Sequence, residues 1–142
     1  MASMEGLGRV FNVVHEASGV HIPMKNYAGV TFINFLAAGT QTVTLKESIN
    51  GASEQNLVVI DTIWKAPGIG GTWTKVTQSV LATYNHATDA TNDMIAIYVG
   101  ADQLSDGFDS LEMTSGTGTC VAILHDLVVQ RDPANLASSV VV

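Results

Sequence analysis

Cysteine, charge and long apolar runs are all scarce in this chain, and each scarcity removes a class of explanation. The one cysteine, Cys120, leaves no internal disulfide, and its neighbours Val121, Ala122 and Ile123 mark it as a small buried hydrophobe in a protein made in a reducing cytoplasm. Lys and Arg number six with no cluster, against 13 Asp and Glu. The resulting net charge of -7 predicts no affinity for nucleic acid, whose phosphates need basic contacts. No apolar run approaches the ~20 residues of a membrane span. Residues 1–9 lack the basic start and apolar core of a secretion signal. The expectation is a protein neither exported by that route nor embedded in a membrane.

β-branched residues are what the chain has instead. Val (17), Ile (9) and Thr (14) make 40 of its 142 residues, a bias that favours strands because branched side chains suit a pleated surface. Hydrophobic residues are 46% and charged ones 13%, so the polar coat must be mostly Thr, Ser, Asn, Gln and Gly. A chain of this length buries roughly two thirds of its unfolded surface. We therefore expect one all-β domain over residues 9–131, with a loose arm at 1–8 and a tail at 132–142.

The pattern is clearest over residues 29–46. Residues 30–36 are β-branched and aromatic and read as a central strand; residues 41–46 alternate, with Val43 and Leu45 on one face and Thr42, Thr44 and Lys46 on the other. The four-residue, Gly-containing connection predicts an antiparallel hairpin. Residues 9–15 read as a strand, although Leu7, Val10, Phe11 and Val14 also keep a helical period. Asn50-Gly51 marks a turn preceded by one helical turn. Further strands are expected at 57–64, 72–77, 80–84, 94–99, 108–113 and 119–130, the last in mid-sheet. Asp102 is expected to cap a helical turn. Trp64 and Trp73 flank a Gly-rich loop and are placed to meet across a hairpin. Eight or nine strands predict an antiparallel β-sandwich or jelly-roll-like barrel. Its core should include Phe32, Val43, Leu45, Val59, Ile97 and Ile123.

No chemistry stands out from the residues. Asp102, Asp106 and Asp109 share a loop, but it lacks the alternating ligands and closing Glu of a calcium loop, so a turn is the better reading. His15, His21, His86 and His125 have no metal-ligand spacing, and a single Cys cannot complete them. There is no Gly-x-Ser-x-Gly elbow, and residues 68–71 are followed by no Gly-Lys-Ser/Thr, so neither a hydrolase nor a phosphate loop is indicated. Trp64, Trp73, Tyr84 and Tyr98 could line a sugar-binding face, though core or interface roles are commoner. The expectation is no catalytic, cofactor-binding or metal residue.

The stretches 29–35, 42–48, 64–67 ahead of 72–77, 97–104 and 107–111 resemble small virion structural proteins encoded beside capsid genes in tailed bacteriophages, over residues 7 to 130. The resemblance implies a non-enzymatic, head-associated β-protein: a capsid decoration (cement) protein in many copies, as a homotrimer on the major capsid protein of the virion. A tail tube, tail-terminator or head-tail connector protein is the alternative it leaves open, and a carbohydrate-binding module is the alternative from another class. No site residue carries over. The apolar Val140, Val141 and Val142 are expected to be covered by a neighbouring subunit.

Overall fold

The computed structural model of the chain describes residues 10–128, and within them the β-branched runs form eleven strands. These are β1 (Val10–Glu16), β2 (Ile22–Pro23), β3 (Tyr27–Leu36), β4 (Thr40–Ile49), β5 (Ala52–Asn56) and β6 (Ile60–Ala66), then β7 (Thr74–Leu81), β8 (Thr83–Ala87), β9 (Asp93–Gly100), β10 (Ser110–Ser115) and β11 (Thr119–Leu127). The larger sheet runs β1-β11-β3-β9-β6-β7; the smaller runs β2-β10-β4-β5, with β8 also on β4. The expected arm at 1–8 and tail at 132–142 lie outside the described residues.

Pairing follows one simple rule. β1 pairs β11, β2 pairs β10, β3 pairs β9 and β4 pairs β8, all antiparallel, so the chain is a long two-stranded ribbon whose successive strands alternate between the sheets. β11 lies beside β3 and β10 beside β4, which closes the wrap. That is jelly-roll topology, and it establishes the expected all-β sandwich. The β6–β7 hairpin is an insertion that widens the larger sheet at β9.

The connection after β3 corrects the sequence reading. β3 and β4 do not form a hairpin: β3 belongs to the larger sheet and β4 to the smaller, and the intervening residues turn the corner between them. Gly39, at φ +90°, makes the turn, and its N–H and C=O are both taken by Thr88. Apolar rows that would have sat side by side in a hairpin instead face each other across the core. The expected helical turn before Asn50 is absent, since β4 continues to Ile49 and Asn50-Gly51 turns directly into β5. Of the expected strands, 57–64 begins only at Ile60, 72–77 only at Thr74 and 108–113 only at Ser110. Asp102 lies inside a 3₁₀ turn, Ala101–Gln103, rather than capping it; the Gly100 N–H donates to Gln103 Oε1 at 2.9 Å.

Phe32, Val43, Leu45 and Ile97 are buried between the sheets as expected. Val59 is only partly buried against that core, and Ile123 points away from it, because Cys120, Ala122 and Leu124 are the inward residues of β11. Leu124→Ala should therefore cost about 2–5 kcal/mol in urea unfolding, and Ile123→Ala no more than about 1 kcal/mol. The reverse order would put Ile123 rather than Leu124 on the core face of β11.

Candidate functional site

The larger sheet exposes an apolar face. In β3, Val30, Phe32, Asn34 and Leu36 turn inward and are buried, leaving Thr31, Ile33 and Phe35 outward and half-buried. Register then aligns the neighbours into rows. One row reads Val13, Ile123, Thr31, Tyr98; the next reads His15, Val121, Ile33, Ala96, Trp64. Five strands thus present Val, Ile, Ala, Tyr and Trp side chains, with Thr31 and His15 the polar members and no carboxylate among them. At ordinary strand spacing the face is roughly 20 Å across and about 13 Å along the strands. The 67–73 loop borders it at one end, where Ile69 and Trp73 join Phe35, Ala66 and Met94 around a cleft of about 350 Å³.

Tyr98 shapes the other end. Its ring lies so close over Gly29 that a Cβ there would meet the Tyr98 hydroxyl at 2.3 Å, so only glycine permits this placement. The ring tilts against His125, with centroids 6.2 Å apart, and His125 Nε2 is held by Thr31 Oγ1 at 2.7 Å. Trp64 and Tyr98, 47% and 57% exposed, flank a second cleft of about 460 Å³ that Asp61, Asp102 and Gln103 also line. Trp64 sits opposite Lys75 and does not meet Trp73, which belongs to the other cleft.

Polar groups under this face are committed to structure. Asp93 is fully buried and accepts N–H groups from Gly68 (2.8 Å), Asp89 (2.6 Å) and Ala90 (3.3 Å), with Lys65 Nζ 3.9 Å away. Burial alone would raise its pKa, but these donors and the Lys65 charge together hold it below the ordinary value. The Gly68 N–H is thus already given to a carboxylate. Residues 68–71 are a hairpin loop, as expected. His86 is fully buried, its Nδ1 on Asn34 Oδ1 at 2.9 Å, and burial followed by the Lys65 charge lowers its pKa.

The four histidines are dispersed. His15 and His125 lie on the apolar face, and His86 in the core. His21 lies on the outer side of the smaller sheet, where its Nδ1 meets Ser48 Oγ at 3.0 Å and its Nε2 faces Glu54 and Glu112. Ser48 is fully buried, so this pair offers no accessible nucleophile. Asp109 is taken up by the Asn50 N–H and the Ser110 hydroxyl, and the carboxylates of the 102–109 loop do not converge. Cys120 is buried as expected and donates its S–H to Glu16 Oε2 at 3.2 Å. Neither the apolar rows nor the His21 group has a local sequence signal, because each is assembled from separate stretches of the chain.

Comparison of the chain with family models, curated proteins and solved structures finds no match.

Proposed function

We propose that this protein is a non-enzymatic structural protein of a bacteriophage virion, a capsid decoration protein made in the host cytoplasm that docks on the major capsid protein through the outer face of its larger sheet. The carrying observation is the five-strand apolar face. It is wider than the isolated exposed hydrophobes of ordinary surfaces, and faces of that kind mark protein–protein contacts. The face can be desolvated cheaply, because Val13, Ile33, Ala96, Val121 and Ile123 leave no charge to bury. The sequence resemblance to head-associated phage proteins supplies the partner. A homotrimer would engage three capsid sites at once, which strengthens attachment without any new contact.

Purified protein should co-sediment with undecorated capsids and raise the temperature at which they fall apart. Val13→Glu and Ile33→Glu should abolish both effects while keeping a β circular dichroism spectrum. Wild-type protein that neither sediments with capsids nor protects them overturns the proposal.

The Trp64–Tyr98 cleft favours a second reading, a carbohydrate-binding module, since exposed aromatic faces beside Asp61, Asp102 and Gln103 are what a sugar ring stacks on and bonds to. Retention on a glycan array that Trp64→Ala removes, with no capsid binding in wild type, would favour it.

A further inference from the structure

The opposite side of the molecule carries a second site. On the smaller sheet Lys46 pairs in register with Glu112 of β10 and with Asn56 of β5, and residue 21, just ahead of β2, lies alongside β10. This places His21, Glu54 and Glu112 together although 33 and 58 residues separate them in sequence. His21 Nε2 is 3.6 Å from Glu54 Oε2 and 3.8 Å from Glu112 Oε2, and one donor atom from each residue lies within 4.8 Å of the others. The Ser48 hydroxyl at His21 Nδ1 fixes the ring so that Nε2 points to the carboxylates, as the outer partner of a metal-bound imidazole does.

Glu112 supplies a second, independent observation at this cluster. Its side chain is 1% exposed. Oε1 accepts the Gly19 N–H at 2.6 Å, but Oε2 accepts from no N–H among the described residues; it faces His21 Nε2 at 3.8 Å and the Glu54 carboxyl group, to which it is hydrogen-bonded only if one of the two acids keeps its proton. A buried carboxylate oxygen aimed at a second carboxylate is costly unless something positive lies between them. Lys46 does not fill that place, since its ammonium is on the other oxygen of Glu54, Oε1.

We propose that His21, Glu54 and Glu112 bind a divalent transition ion, Zn²⁺ in the first instance. One imidazole with two carboxylates suits Zn²⁺ and excludes the all-oxygen preference of Mg²⁺ and Ca²⁺. Tetrahedral bonds of about 2.0–2.1 Å place donors roughly 3.4 Å apart, so the observed 3.6 and 3.8 Å need to close by only a few tenths of an ångström. Glu54 is 34% exposed and stands at the rim, which leaves the fourth position to water. The ion would tie β5 and the 17–20 loop to β10. Because the site lies on the sheet opposite the proposed docking face, capsid binding can fail without affecting it.

The full chain, stripped with EDTA and titrated with ZnCl₂ by calorimetry and thermal melting, should take up one ion per chain and melt several degrees higher. Glu54→Gln, at the exposed rim and so safe for folding, should weaken zinc binding by more than about tenfold, as should His21→Gln. Absence of zinc binding overturns the proposal and leaves a shared proton between the carboxylates. Zinc affinity unchanged in Glu54→Gln also overturns it, because the ion would then be held elsewhere, for instance by His15 or His125.

Discussion

Asp93→Ala is expected to lower the unfolding free energy by roughly 3–5 kcal/mol at neutral pH, a large effect for a single polar side chain. The size follows from what one carboxylate serves. Its two oxygens satisfy the N–H groups of Gly68, Asp89 and Ala90 and so hold together the 67–73 loop and the 88–92 turn. Alanine would strand those donors and leave Lys65, itself 10% exposed, with the exposed Asp89 carboxylate and the Ala87 carbonyl. Orphaned buried donors cost about 1–3 kcal/mol each when water cannot reach them. Because the folded pKa of Asp93 is depressed, its contribution is present above the unfolded value of 3.8 and is lost as the pH falls through the folded one. The gap between wild type and Asp93→Ala in urea midpoints should therefore narrow below about pH 4. A gap under about 1 kcal/mol at pH 7 would show that the loops do not depend on this carboxylate.

Strand identity was legible in this sequence because alternation is written locally. Val43 and Leu45 against Thr42, Thr44 and Lys46 announce one buried face, and Ile95, Ile97 and Val99 do the same; all five apolar residues are in the core. Strand pairing was not legible. A short Gly-containing connection serves a hairpin and a sandwich corner equally well, and β3 and β4 bury one face in either case, beside each other or opposite each other. Only the long-range partners β11, β9 and β10 decide between these, and nothing near Gly39 encodes them. Ile123 was misplaced for a related reason. Residues 121–124 are apolar throughout, so no polar neighbour declares which side faces out, and the larger sheet tolerates an isoleucine outside because that face is itself apolar. The candidate surfaces were hidden in the same way: the apolar rows draw on β1, β11, β3, β9 and β6, and the His21 group joins a residue ahead of β2 to one from β5 and one from β10.

Raising the pH from 5 to 9 is expected to destabilise the protein by a few kcal/mol, and Glu16→Gln is expected to remove most of that loss. Glu16 is the register partner of Cys120 across β1 and β11, and it reaches the other sheet by accepting the Met113 N–H at 2.6 Å. It therefore fastens the edge strand β1 to β10. Burial pushes its pKa from 4.5 up to about 8; the Met113 N–H and the Cys120 thiol oppose the rise, and the nearby Glu112 charge adds to it. The sign follows from the two states. Between about 4.5 and 8 the folded protein holds a proton on Glu16 that the unfolded chain has released, so folding stability is complete below 4.5 and declines as the pH rises. The slope is at most about 1.4 kcal/mol per pH unit and flattens beyond the folded pKa. Gln keeps the shape and the acceptor for Met113 but carries no charge to bury, so its urea midpoint should be nearly flat across this range. The buried Cys120 thiol, whose own pKa burial raises, contributes no ionisation below pH 9. Persistence of the full decline in Glu16→Gln would assign it to another group and would leave Glu16 as an ordinary hydrogen-bond acceptor between the sheets.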